Sequence, residues 1–242
     1  MPGTNETLSV VEIIRNIPGD TTEPLLCKCS DGRRYVVKGY AGTSCEELIA
    51  EWVAANLAKR FGLSVPPFHI VAVPDALTAF MPQWRYSLQQ DEAFASLYIE
   101  NSAPLSQPQA HEAVNTQSQK LIYLFDRWIN HTDRTFAGRS ANMIYDFSSG
   151  RYYLVGHDRA FSLPGEQAEH GPHVYAPGER TWDFDLVDRN EGEQRVAMVI
   201  NALDEILAGI PAAWSTGHEA FIGQVRRVLM RADDNEFWSS LS

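Results

Sequence analysis

The chain has 242 residues, 44% of them hydrophobic, and a formal net charge of −11 from 20 Lys and Arg against 31 Asp and Glu. That is enough chain to bury a substantial core in one large domain or a small two-lobed one. The acidity, with no Lys/Arg-rich run to offset it, argues against direct binding to a nucleic-acid backbone. No apolar run approaches the roughly 18–20 residues of a membrane span, and the opening "MPGTNETLSVVEII" lacks the basic stretch and cleavage site of a signal peptide, so a cytoplasmic location is expected and a membrane partner is not. Cys27, Cys29 and Cys45 are an odd set without metal-ligand spacing, which argues against a disulfide framework.

In chain order, "VVEIIRNI" (10–17) and "EPLLCKCS" (23–30) flank "PGDTT", and "SDG" turns the second run into "RRYVVKGY" (33–40), giving an antiparallel meander. "CEELIAEWVAANLAKRF" has helical apolar spacing through Leu48, Trp52, Leu57 and Phe61. Ser44 is its N-cap, Glu47 stands three residues on, and Gly62 ends it. "VPPFHIVAV" (65–73) and "ALTAFM" (76–81) read as two more strands, completing a five-stranded sheet with one helix laid on it. Past residue 82 the chain turns to helices and loops. "HEAVNTQSQKLIYLFDRWIN" is an amphipathic helix, "ANMIYD" and "RYYLVGHD" form a hairpin through "SSG", and helices follow at 193–209 and 217–233. The Gly/Pro-rich segment 163–180 reads as a long loop. The expected class is α+β, with an N-terminal lobe over 1–82, a mainly helical lobe over 83–242 and a cleft between them.

Several polar residues fall where that cleft would lie. In the loop "PGDTTEP", Gly19 can take a positive φ, and Thr21, Thr22 and exposed backbone N–H groups could cover phosphates; taken by itself, the loop reads better as a plain tight turn. Lys38 ends a strand on the same face as Val36, and Glu51 flanks the apolar face of the helix, so an ion pair across the sheet is geometrically reasonable. Asp133 follows a helix in "INHTDR", Asn142 comes nine positions later, and Asp158 follows the strand "YLVG". Two carboxylates and an amide are hard oxygen ligands that suit Mg²⁺, which prefers one or two carboxylates completed by substrate phosphates.

The ordered set Lys38, Glu51, Asp133, Asn142, Asp158 resembles the protein-kinase fold, with its strand Lys, helix Glu, catalytic-loop Asp and Asn, and metal-binding Asp. More specifically, "PGDTTEPLLC", "RRYVVK", "EWVAANLAKRFGLSVP", "FASLYIE", "INHTDR" and "LVGHDRAF" resemble short HipA-like kinase domains over residues 10–230. The resemblance implies ATP and Mg²⁺ as cofactors and a protein or small-molecule hydroxyl as phosphate acceptor. Lys38 would contact the ATP phosphates and pair with Glu51, and Asp133 would orient and deprotonate the acceptor. Asn142 and Asp158 would hold the metal, while Gly19, Thr21, Thr22 and Met81 would line the nucleotide site. Two departures stand out. The Asp133–Asn142 interval of nine exceeds the kinase interval of about five, and "HDRAF" lacks the Gly of Asp-Phe-Gly.

Three other readings share these residues. His131-Thr132-Asp133 also resembles the His-x-Asp of aminoglycoside and choline phosphotransferases, which keeps the cofactors and makes the acceptor a small molecule. "GHD" (156–158) resembles metal phosphohydrolases, whose further His ligands would have to come from positions such as His111 and His131. A pseudokinase would use the same cleft to bind a partner without catalysis.

Overall fold

The computed structural model of the protein describes residues 7–18, 22–39, 44–79, 88, 91–136, 142–163 and 171–241. β1 (Val10–Asn16), β2 (Leu25–Cys29) and β3 (Arg34–Lys38) form the expected meander, and the helix α1 (Cys45–Phe61) comes next. Ser44 and Glu47 close a reciprocal capping box at its start, and Gly62, at φ +90°, ends it by returning its N–H to Ala58 and Lys59.

The second half of the sheet differs from the expectation. β4 (Phe68–Ala72) is present, but residues 75–79 form the short helix α2 (Asp75–Ala79) and not a strand. Pro74 starts that turn by accepting a hydrogen bond from the Leu77 N–H at 2.9 Å, and an apolar run this short has no periodicity to separate helix from strand. The fifth strand is β5 (Glu92–Leu97), beyond residue 82 where the N-terminal lobe was expected to end. It inserts between β3 and β4, giving the order β1-β2-β3-β5-β4 with Lys38 opposite Phe94 and Ser96 opposite Phe68. Ala93 and Ala95 point to a core shared with Val10, Cys27, Cys29 and Val37, whereas Phe94 points to α1 and the second lobe. Cys27, Cys29 and Cys45 are buried, the first two as free thiols.

The second lobe comprises β6 (Ser102–Pro104), α3 (Gln107–Ala113), α4 (Thr116–Trp128), the hairpin β7 (Met143–Asp146) and β8 (Arg151–Leu154), α5 (Leu186–Ile200), α6 (Leu203–Ala208), α7 (Ala212–Ser215), α8 (Glu219–Met230) and α9 (Asn235–Ser239). The hairpin is as expected and gains β6 on its edge. The helix expected over 193–209 starts earlier, at an Asp185–Asp188 capping box, and breaks near Asn201 into two. No helix among the described residues is long and apolar enough to cross a membrane.

Two sets of contacts hold the framework around the cleft. α1 is buried against the second lobe as part of one continuous core, with the Trp52 indole N–H donating to the Ile206 carbonyl and Arg195 donating to the Phe61 carbonyl. At the far end of α4, Arg231 donates to the Arg127 and Trp128 carbonyls, and the Trp128 indole donates to Leu229. Terminal helix carbonyls have no partner within the helix, so these bonds hold the point from which the "INHTDR" loop departs.

Candidate active site

Strand alternation directs Val36 and Lys38 to one side of β3, into a cavity of about 280 Å³ between the sheet and the β7–β8 hairpin. Val36, Ala55, Val65, Phe68, Phe94 and Leu154 make its walls apolar, and Leu97, Tyr98 and Ile99 form the edge where β5 leaves the sheet. Ile17 and Pro24 bring the two ends of the "PGDTTEP" loop to the same cavity, joined by a 2.8 Å bond from the Ile17 N–H to the Pro24 carbonyl. Of the residues expected in that loop, Thr22 is buried; Gly19 and Thr21, and likewise Met81, lie outside the described residues.

Lys38 and Glu51 form the expected ion pair, both buried. The same ammonium also reaches Asp158 Oδ1 at 2.9 Å. One buried cation therefore joins the strand, the helix and the turn after β8. Desolvation alone would raise the pKa of Asp158, but the adjacent Lys38 outweighs it and holds the carboxyl well below its ordinary value. For Glu51, burial prevails and pushes the pKa up against the pull of Lys38.

Asp133 and Asn142 meet despite the long interval between them. The Asn142 amide nitrogen donates to Asp133 Oδ2 at 3.0 Å and to the Asp133 carbonyl at 3.2 Å. With the nitrogen so committed, Oδ1 is the atom Asn142 has to offer a cation. Asn142 sits at φ +50°, and Gly156, at φ +66°, lies so close that a Cβ there would stand 3.1 Å from the Asn142 amide. A glycine is favoured at 156 on both counts.

Sequence reasoning missed the layer beneath. Asp126 on α4 is fully buried and bonds the Arg134 guanidinium at 2.5 and 3.3 Å and His173 Nε2 at 2.9 Å. Arg134, equally buried, also donates to the Asn142 carbonyl at 2.6 Å, and its other nitrogen lies 3.4 Å from His157. His131 Nε2 meets the Gly156 carbonyl at 3.0 Å. Asp126 had a legible signal, since it falls on the apolar stripe of Ile122, Phe125 and Ile129, where an acid must find a partner. Phe161, three residues after Asp158, had none. It is buried at φ +64°, tied by its N–H to the Ile129 carbonyl and by its own carbonyl to Gln224.

A family model for HipA-like kinases matches residues 10–241. The chain belongs to the HipA-like kinase family. The CtkA proinflammatory kinase of Helicobacter pylori shares the fold at a TM-score of 0.53 and 11% identity, over 93% of this chain and 96% of its own. Two Golgi casein kinase structures, one with Mn/ADP bound, align at a TM-score of 0.45, with 13% and 11% identity over 94% and 97% of this chain and 72% and 76% of theirs. No curated protein sequence matches it.

This HipA-like kinase is therefore a phosphotransferase built on a two-lobed α+β kinase fold, and its buried histidines make its stability sensitive to acid. Burial, outweighing the nearby Asp126, lowers the His131 pKa to about 4. Burial, helped by the Arg134 charge, drives His157 well below 6.5, and burial outweighs the Asp126 hydrogen bond to lower His173. Below pH 6.5 the unfolded chain takes up protons on these rings and the folded chain does not, so acidification favours unfolding. Asp126 acts in the same direction at lower pH. Burial alone would raise its pKa, yet Arg134 and His173 hold it depressed, so its contribution is present above 3.8 and lost as pH falls further. Urea unfolding at pH 7, 6 and 5 is predicted to show falling stability, with His131 contributing on the order of 1 kcal/mol per pH unit and the other two rings acting in the same direction. A flat or rising trend would mean that the rings are not held neutral.

Proposed function

We propose that this HipA-like kinase transfers the γ-phosphoryl group of Mg·ATP to a serine or threonine hydroxyl of a protein in the cytoplasm. The observation that carries the reading is the single buried Lys38 tied to both Glu51 and Asp158 at the inner end of an apolar cavity, with the Asp133–Asn142 pair bonded beside it. The residues fit both cofactors. The apolar walls suit a purine, and Lys38 supplies a fixed positive charge for phosphates. Asp158 and Asn142 supply the hard oxygens that Mg²⁺ accepts while it keeps waters and phosphate as its remaining ligands. Bound there, Mg²⁺ would supply charge neutralisation for the phosphates.

The chain's own residues do the rest. Glu51 holds the Lys38 ammonium against the phosphates. Asp133 orients the acceptor hydroxyl and takes its proton as the oxygen bonds to the γ-phosphorus and the bond to ADP breaks. Asn142 steadies that carboxylate through its amide nitrogen. The buried free thiols of Cys27 and Cys29 fit a reducing compartment, and the net charge of −11 supports a partner other than nucleic acid.

Incubation with γ-labelled ATP and Mg²⁺ in a cell extract tests the reading. Label on protein Ser or Thr, absent with the Asp133→Asn variant, is the expected result. Label on a small molecule would move the acceptor class, free phosphate would indicate hydrolysis, and no turnover would leave a binding module. A second measurement isolates the nucleotide site. Lys38→Ala leaves Glu51 and Asp158 buried without their cation, so it is predicted to lower stability by about 3 kcal/mol and to abolish the rise in melting temperature on adding ATP. An unchanged ATP-dependent rise in the variant would rule out Lys38 as a phosphate contact.

A further inference from the structure

The residue that holds Asn142 in place is not one of its sequence neighbours. Asn142 is nine positions from Asp133, at φ +50°, a backbone region in which non-glycine residues are uncommon. Its carbonyl is taken by two donors, the Val155 N–H at 3.0 Å and the Arg134 guanidinium at 2.6 Å. Arg134 is in turn anchored on Asp126, which belongs to α4 and carries no exposed surface. The same guanidinium also lies 3.4 Å from His157, the residue before Asp158.

We propose that Arg134, braced by Asp126, is a positioning residue that sets the geometry of both metal-holding side chains, Asn142 through its carbonyl and Asp158 through His157. The inference rests on the reading of the cleft as a Mg·ATP site. A planar guanidinium bonds a carboxylate and a carbonyl at once in directions fixed by its rigid fork, whereas an ammonium is a point charge with rotatable donors and fixes no such geometry. Because Arg134 immediately follows Asp133, one rigid group ties the loop that carries the base to the residues that carry the metal. Partners of metal ligands orient them, and their loss typically lowers metal affinity about 10–100-fold.

The test uses the full chain and binding of a non-hydrolysable ATP analogue, measured by calorimetry with and without Mg²⁺. Arg134→Lys is expected to bind the analogue within about twofold of wild type without Mg²⁺ and to lose about 10-fold or more of the Mg²⁺-dependent gain. Asn142→Ala should show the same loss. The double variant should lose clearly less than the sum of the two single losses, because part of the effect of Arg134 on Mg²⁺ runs through Asn142. Should Arg134→Lys fail to fold, Asp126→Asn/Arg134→Gln removes both buried charges together and is read in the same way. A folded variant with an unchanged Mg²⁺ gain, or losses that simply add, overturns the positioning role and leaves the Mg·ATP reading standing. A wild-type chain that binds the analogue equally with and without Mg²⁺ overturns that reading and this inference with it.

Discussion

Replacing Asp133 with asparagine is expected to leave Mg·ATP affinity near wild type while phosphoryl transfer falls by about 10²–10⁴-fold, the usual contribution of a positioned general base. The substitution keeps the side chain's shape and removes only its capacity to take a proton. It also preserves the local structure, since an asparagine carbonyl oxygen can still accept the bond that Asn142 donates at 3.0 Å. The Lys38 contacts with Glu51 and Asp158 are made by other residues and stay in place. Single-turnover kinetics beside calorimetric binding of a non-hydrolysable ATP analogue separate the two effects. Turnover within about threefold of wild type would remove Asp133 from the chemistry.

Asp158→Asn should fail differently. It would replace a charged ligand of the proposed Mg²⁺ site with a neutral one and reduce the 2.9 Å ion pair with Lys38 to a hydrogen bond to an uncharged amide, so Mg²⁺-dependent nucleotide affinity is expected to drop by at least about 10-fold together with turnover. The fold should survive, because Lys38 keeps its pairing with Glu51. The Glu51 carboxyl, pushed up chiefly by burial and partly by repulsion from Asp158, should titrate lower once that repulsion is gone. The comparison of the two aspartate variants is decisive for the division of labour. If both lose metal-dependent binding equally, Asp133 is a metal ligand and not a base.

Local chemistry carried most of the site into the sequence. Lys38 ends a strand, Glu51 rides an amphipathic helix with a capping box, and Asp133 and Asp158 each come after a regular element, so their order along the chain already matched a kinase. The Ser44–Glu47 box and Gly62 placed α1 to the residue. β5 was hidden because "EAFASL" is a central strand in which the small residues Ala93, Ala95 and Ser96 make up half the length. It lies between two neighbours, and its alanines pack where sheet and core approach closely, so it lacks the bulky alternation by which a strand is recognised. The more apolar "ALTAFM" took its place in the reading.

Residue types, caps and the order of ionisable groups are properties of the chain itself, and they determined the class of chemistry, the helix that carries Glu51 and the hairpin that presents Asp158. Tertiary structure alone decided which strand closes the sheet, where Leu97–Ile99 edge the cavity, and how Asn142 returns to Asp133 across a nine-residue interval. Those outcomes depend on pairings between segments distant in sequence, above all on one buried guanidinium shared by Asp126 and Asn142. A buried charge forces such a pairing but does not name its partner, because the energy that selects the partner comes from desolvating both groups together.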